Sequence, residues 1–229
     1  MSAPLRGISS MATRQVLAGL AAEWERRGGA PVAIESVGGV DAARRVAAGE
    51  AFDLVFLAAD AIDKLLAAGH AVAGSRVDLV RSGVAVAVRQ GAARPDIASE
   101  DAVKQAVLAA PTIGYSTGPS GTALMQLFER WGIAQQVRER TVQAPPGVPV
   151  GSLVAKGEVA LGFQQFSELM HLPGIEVLGP LPAPIRITTV FSGAVCAAAV
   201  QPQAARELLA FMASPETAEL KRRCGMDAA

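Results

Sequence analysis

Apolar residues recur along the chain at two alternating spacings, and the alternation predicts its elements. Leu5 to Ile8 is a short buried strand, and Ser9-Ser10 then caps a helix whose apolar positions Val16, Leu17, Leu20 and Trp24 share one face before Arg26-Arg27-Gly28-Gly29 ends it. Pro31 to Val37 alternates as a strand does, Gly38-Gly39 interrupts it, and Asp41 caps a helix that runs through Val46 to a stop at Gly49. Phe52 to Ala58 is almost continuously apolar, as a strand covered on both faces of a parallel sheet must be. Asp60 opens the helix that follows and Gly69 closes it. Asp78 to Val80 and Val84 to Arg89 are strand-like, interrupted by Arg81-Ser82-Gly83.

The second half repeats this grammar. Glu100 to Ala110 reads as a helix, Thr112 to Tyr115 as a strand, Ser116 to Gly121 as a turn, and Thr122 to Trp131 as a helix. Val137 to Val142 is a strand, Pro145 to Pro149 a proline-rich loop, Val150 to Lys156 a helix and Ala160 to Phe163 a strand followed by Gln164-Gln165, after which Ser167 opens a short helix. Ile175 to Leu178 and the long run from Ile187 to Val200 are β-like, and helices from Gln203 to Met212 and Pro215 to Arg223 close the chain. Strands alternating with helices imply an α/β fold with mostly parallel sheets.

Composition narrows the function classes. With 21 basic and 21 acidic side chains the formal charge is zero, which argues against a nucleic-acid partner and against a polybasic membrane-surface protein. At 51% hydrophobic over 229 residues the chain has ample material for a core, in one large domain or two lobes. Seven Phe, two Trp and one Tyr leave no stock of stacking platforms for single-stranded nucleic acid. Cys196 and Cys224 lack metal-ligand spacing and read as ordinary thiols. No apolar run reaches the length of a membrane span, and Met1 to Gln15 contains no secretory apolar segment. The expected location is therefore the periplasm if a signal peptide has been removed, and the cytoplasm otherwise.

In open parallel sheets, ligands sit beyond the carboxyl ends of strands, where helix N-termini and loop amides point outward. Ser9-Ser10, Gly38-Gly39, Ser116-Thr117, Ser120-Gly121-Thr122 and Gln164-Gln165 all fall at such points. Hydroxyls and amides donate hydrogen bonds and glycine admits backbone N–H groups, so together these residues suit an uncharged pocket for a small anion. Taken singly, each Ser or Thr is an ordinary helix cap; their recurrence in both halves is what points to a site.

Other chemistries fit poorly. Ser120 fails the nucleophile elbow because Thr122 stands where glycine should be, no Lys follows the last glycine of that loop as a P-loop requires, and no dinucleotide fingerprint follows the first strand. His70 and His171 are isolated, so no metal is expected, and nothing calls for a cofactor. Asp53, Asp60 and Asp63 read as structural. Arg81 interrupts an apolar strand, where it either clamps a carboxylate or is a solvated arginine at a bend; Arg186 has the same two readings. Tyr115, the single tyrosine, ends a strand and is placed to hydrogen-bond a ligand or to transfer a proton.

Ile8-Ser9-Ser10, the Ser36-Val37-Gly38-Gly39 turn, Phe52 to Asp60, Gly162 to Gln165 and the tail Phe211 to Glu216 together resemble the molybdate-binding class of extracellular solute-binding proteins. Tyr115 to Gly118, Gly162 to Leu169 and Gly179 to Pro182 resemble more closely the subgroup that includes aconitate isomerase. The resemblance implies a type II periplasmic-binding-protein fold with two lobes, residues 1–80 plus 190–229 and residues 81–189, joined by strands crossing near Leu79–Gly83 and Arg186–Val190 around an interlobe cleft. It also implies that Ser9 or Ser10, and Gly38 or Gly39, hold an oxyanion. Glycines stand in that second turn where molybdate binders present serine, which directs the expectation to an organic carboxylate or a similar anion.

Two function classes follow. A solute-binding protein would capture the anion as a monomer and pass it to ABC transporter membrane subunits. An enzyme would move a proton across an allylic system in an unsaturated polycarboxylate, with Tyr115, His171 and Glu168 as the available acid–base groups.

Overall fold

The computed structural model describes residues 3–229. The chain begins with β1 (Leu5–Ser10), a 3-10 turn at Met11–Thr13, α1 (Arg14–Arg26), β2 (Val32–Val37), α2 (Gly39–Ala47), β3 (Leu54–Ala58), α3 (Ala59–Ala67) and the long β4 (Val77–Arg89). It continues through α4 (Glu100–Ala109), β5 (Ile113–Tyr115), α5 (Pro119–Arg130), α6 (Ala134–Val137), β6 (Thr141–Gln143), α7 (Val150–Lys156), β7 (Leu161–Gln165), α8 (Phe166–Leu169) and β8 (Ile175–Pro180). It closes with β9 (Thr188–Val195), α9 (Pro202–Ala213), α10 (Ala218–Arg223) and β10 (Asp227–Ala228). Two compact units result: one runs to Ser82 and resumes at Val190–Ala229, and the other is Gly83–Thr189.

In the first unit β1 pairs in parallel with β2 and with β3, β9 runs antiparallel to β3, and β10 adds antiparallel to the first half of β4. All five residues of β3 are buried because helices cover both faces of the sheet. Leu17, Leu20, Phe56, Leu208 and Met212 pack on the side of α1 and α9, whereas Ile8, Val46, Val55, Leu57 and Ile62 pack on the side of α2 and α3. Each such fully buried side chain contributes about 1.5–3 kcal/mol relative to exposure.

The second unit repeats the plan. β5 pairs in parallel with β6 and β7, and the second half of β4 runs antiparallel to both β7 and β8. Val86, Val103, Phe128 and Phe163 form the core on the side of α4 and α5. Val150 and Val154 of α7, and Leu169 of α8 against Ala85 and Ala87, close the other face. Parallel pairing is thus confined to the βα repeats, while β4, β8, β9 and β10 enter their sheets in the opposite direction and make them mixed.

Several local expectations are corrected. The helix expected to be capped by Asp41 starts at Gly39 behind Gly38, and Asp41 lies in its first turn, paired with Arg44. α3 starts at Ala59 with Ala58 as its cap, so Asp60 follows the start. β4 is continuous through Arg81-Ser82-Gly83, because Ser82 alternates inward and is buried while Arg81 points out. α5 begins three residues early, at Pro119, whose fixed φ suits a first helical position. The long run after Ile187 is strand only from Thr188 to Val195; Cys196 then bridges to Ala71.

Candidate functional site

In the first unit β1, β2 and β3 all end at one edge of the sheet, at Ser10, Val37 and Ala58. A helical segment begins immediately beyond each, and none of the caps Ser10, Gly38 and Ala58 hydrogen-bonds its helix through a side chain. First-turn N–H groups have no partner within their helix, so this edge gathers donors and the positive ends of helix dipoles.

The serines divide between two faces. Ser9 faces its register partner Ser36, with Oγ atoms 2.8 Å apart. Ser10 turns to the other face, where a methyl group added at Gly39 would lie 3.5 Å from its Cβ. Ser10 is only 8% exposed, and its Oγ is buried without a hydrogen-bond partner. An orphaned buried hydroxyl costs about 1–3 kcal/mol; Ser214 Oγ is left unpaired in the same way, but Ser10 Oγ lies beside a donor-rich helix start. Gly39 has no positive φ, and a Cβ there would make ordinary contact with Ser10 Cβ (3.5 Å) and Leu57 Cδ2 (3.8 Å). The next residue, Val40, is 67% exposed.

Arg81 is not brought to this edge. It is exposed on β4, in register with Asp227 of β10. Burial pushes the Asp78 carboxyl up, but the Ser192 hydroxyl, the Arg76 guanidinium and the charge of Arg81 together hold it below its usual range. Arg186, in the second unit, is exposed as well. Asp53 is structural: its carboxylate accepts from the amides of Arg6 (3.0 Å), Val200 (2.9 Å) and Gln201 (2.9 Å), which ties β1 and the start of α9 to β3.

In the second unit β5, β6 and β7 are parallel and end at Tyr115, Gln143 and Gln165. The Tyr115 ring packs on the α5 side of the core. Ser116 and Ser120 are joined through their hydroxyls at 3.0 Å. Ser120, Gly121 and Thr122, expected in a loop and at a helix start, all lie in the first turns of α5. Gly121 is sterically required, since a Cβ there would fall 1.9 Å from the Ser116 carbonyl oxygen.

Gln164 and Gln165 lie inside β7, on opposite faces, and both are buried. The Gln165 amide nitrogen donates to Thr189 Oγ1 at 2.7 Å, and its Oε1 is buried without a partner. Gln164 Oε1 accepts from the Gly151 amide at 3.2 Å, while its Nε2 donates to Glu168 Oε1 at 2.9 Å. Burial pushes the Glu168 carboxyl up to about 7, against the opposing hydrogen bond from Gln164. His171, just past α8, is exposed.

Sequence reasoning missed Ser36, Thr189 and the amide of Gly151 as partners. The spacing of Gln164 and Glu168, four apart, was a visible signal; the pairing of Thr189 with Gln165 depends on long-range strand placement and was not. Among the described residues no group of acidic, His and Cys side chains could hold a metal ion, and no helix is long and apolar enough to cross a membrane. Cys196 and Cys224 are both free, and burial raises the Cys196 thiol to about 12.

Two α/β units with bare helix starts at the carboxyl ends of their parallel strands define the fold class of the two-lobed periplasmic binding proteins. The chain superposes on the periplasmic molybdate-binding protein of Azotobacter vinelandii with a TM-score of 0.79 at 21% identity, covering 97% of this chain and 98% of that one. It superposes on the tungstate ABC transporter structure from Geobacter sulfurreducens with a TM-score of 0.75 at 16% identity, covering 95% and 97% respectively. The chain belongs to the bacterial extracellular solute-binding protein family, whose model matches residues 5–227. It is also 41% identical over 183 residues to the aconitate isomerase of a Pseudomonas species, covering 80% of this chain and 70% of that protein.

Proposed function

We propose that the chain captures a small organic polycarboxylate through neutral donors, with the Ser10 edge of the first unit receiving one carboxylate. The buried, partnerless hydroxyl of Ser10 beside the start of α2 carries this reading. An arriving carboxylate accepts from that hydroxyl and from first-turn amides, needing no cation. Exposed Val40, in the first turn of α2, favours a ligand with a carbon skeleton over an inorganic oxyanion, and the similarity to aconitate isomerase points the same way. The ligand then passes to ABC transporter membrane subunits, a step supported by the family and by the transporter named among the similar structures.

Isothermal titration with trans-aconitate, citrate, molybdate and sulfate tests this. Saturable binding of a tricarboxylate that exceeds both oxyanions is expected. Binding of molybdate alone would overturn the carboxylate reading, and heat from none of the four would overturn capture of a small polycarboxylate.

A second reading is favoured by the 41% identity to an isomerase: the bound polycarboxylate is also isomerised by an allylic proton shift. Interconversion of trans- and cis-aconitate, followed by NMR, separates it from binding alone.

A further inference from the structure

We propose that Glu168, oriented by Gln164, is the acid–base residue that carries the proton of this isomerisation, in preference to Tyr115 and His171. The inference rests on the isomerisation reading above. Its starting point is how differently Glu168 is held from the other partnered carboxylates. Glu35 and Glu50 pair with Arg45, Asp63 and Asp78 with Arg76, Glu100 with Arg130, and Asp53 with three backbone amides. Glu168 accepts from the neutral side-chain amide of Gln164, as Glu207 does from Gln203, but Glu207 is exposed whereas Glu168 is half-buried and its donor Gln164 is buried. On the elements packed around it the charged or titratable groups are Lys156 on α7, Arg89 on the second half of β4, Glu176 on β8 (paired with Arg94) and exposed His171, while Asp78 and Arg81 lie on the first half of β4; none forms an ion pair with it among the described residues.

Gln164 has one hydrogen-bonding direction only. Because its Oε1 accepts from the Gly151 amide, its Nε2 is committed to Glu168, and reversing the amide would set two donors against each other. Glu168 lies in α8, which follows directly on the end of β7, and in this assignment its second oxygen is the one that would meet the reacting group. A carboxyl that titrates at about 7 both takes and returns a proton near neutral pH. Tyr115 is half-buried with its ring against the α5 side of the core, and His171 lies on the surface.

The step balances without a co-reactant. The Glu168 carboxylate takes a proton from the methylene carbon next to the double bond, so one C–H bond breaks and one O–H bond forms. The electron pair spreads over the three-carbon unit and its carboxylates. Glu168 then returns the proton to the far allylic carbon, an O–H bond breaks, a C–H bond forms, and the double bond has moved.

The test follows trans-aconitate in deuterated water by proton NMR, with binding measured in parallel by titration. Glu168→Gln keeps an acceptor for Gln164, so folding and binding are expected to persist while exchange and isomerisation fall by about 100-fold or more. Tyr115→Phe and His171→Asn are expected to retain both activities. Gln164→Ala is expected to lower kcat with little change in KM and to move the acid limb of the pH profile upward, since the hydrogen bond that favours the carboxylate is gone. Exchange surviving in Glu168→Gln, or lost in Tyr115→Phe or His171→Asn while Glu168→Gln stays active, would overturn the assignment alone. Wild-type protein that binds trans-aconitate without exchange or isomerisation would overturn the isomerisation reading and this assignment with it.

Discussion

Replacing Ser10 with alanine separates a hydroxyl kept for a ligand from one kept for the fold. In the ligand-free protein Ser10 Oγ is buried and makes no hydrogen bond, so deleting it removes a desolvation penalty and leaves no partner stranded. Stability is expected to hold or rise by about 1 kcal/mol, part of the 1–3 kcal/mol that an unsatisfied buried polar group costs. In the complex the same hydroxyl donates to a carboxylate, a hydrogen bond to a charged group worth about 1.5–3 kcal/mol, so affinity should fall roughly 10- to 150-fold. Urea denaturation without ligand and titration with a tricarboxylate measure the two effects independently. A variant that loses stability by more than 1 kcal/mol while keeping its affinity would refute the reasoning, because the hydroxyl would then be serving the fold.

Other substitutions test the scaffold around the two sites. Asp53→Ala strips acceptors from three backbone amides and is expected to cost about 3–5 kcal/mol, seen in urea as a lower midpoint with an unchanged slope. Gly121→Ala drives a methyl group into the Ser116 carbonyl and is expected to destabilise by about 1–3 kcal/mol, despite the better helix propensity of alanine, as read from the melting temperature. Glu168 holds its proton up to about 7 when folded, against an ordinary value of 4.5, so the folded state binds more protons across that window. Wild-type stability should therefore decline as pH rises from about 4.5 to about 7, by on the order of 2–3 kcal/mol, and then level off. Glu168→Gln should flatten that decline, leaving the variant the more stable protein at pH 8 and the two alike at pH 4; equal slopes in urea titrations would contradict the burial of this carboxyl.

Much of the fold was legible because the βα repeats announce themselves locally. Phe52 to Ala58 could only be a strand covered on both faces, and the apolar stripe of Val16, Leu17 and Leu20 could only be one side of a helix. Helix starts were less legible. At Asp41 and Asp60 an acidic residue in the first turn looks in sequence like a cap, yet the caps are Gly38 and Ala58, and that bareness leaves amides open at the sheet edge. In sequence Arg81-Ser82-Gly83 looks like an interruption of β4 because it lacks apolar character, although outward Arg81 and buried Ser82 keep the period of two.

The candidate site was legible as residue types and not as partnerships. Ser9, Ser10, Gly39 and Gln164 stand out as small or amide residues at strand ends. That Ser9 is satisfied by Ser36 while Ser10 is not depends on which face each takes in the β1–β2 register, and a one-residue slip would exchange them. The four-residue spacing of Gln164 and Glu168 is visible in sequence, but the Gly151 amide that fixes the direction of Gln164 comes from α7 packing on β7 and is not.

The central claim, that bare helix starts and Ser10 receive a carboxylate, is tested most directly by following backbone amides in a nitrogen–proton NMR titration with trans-aconitate. The account predicts saturable shifts at Ser10, Met11, Gly39 and Val40 that share one dissociation constant with calorimetry and disappear or weaken in Ser10→Ala. Saturable binding that leaves these four amides unmoved would contradict it.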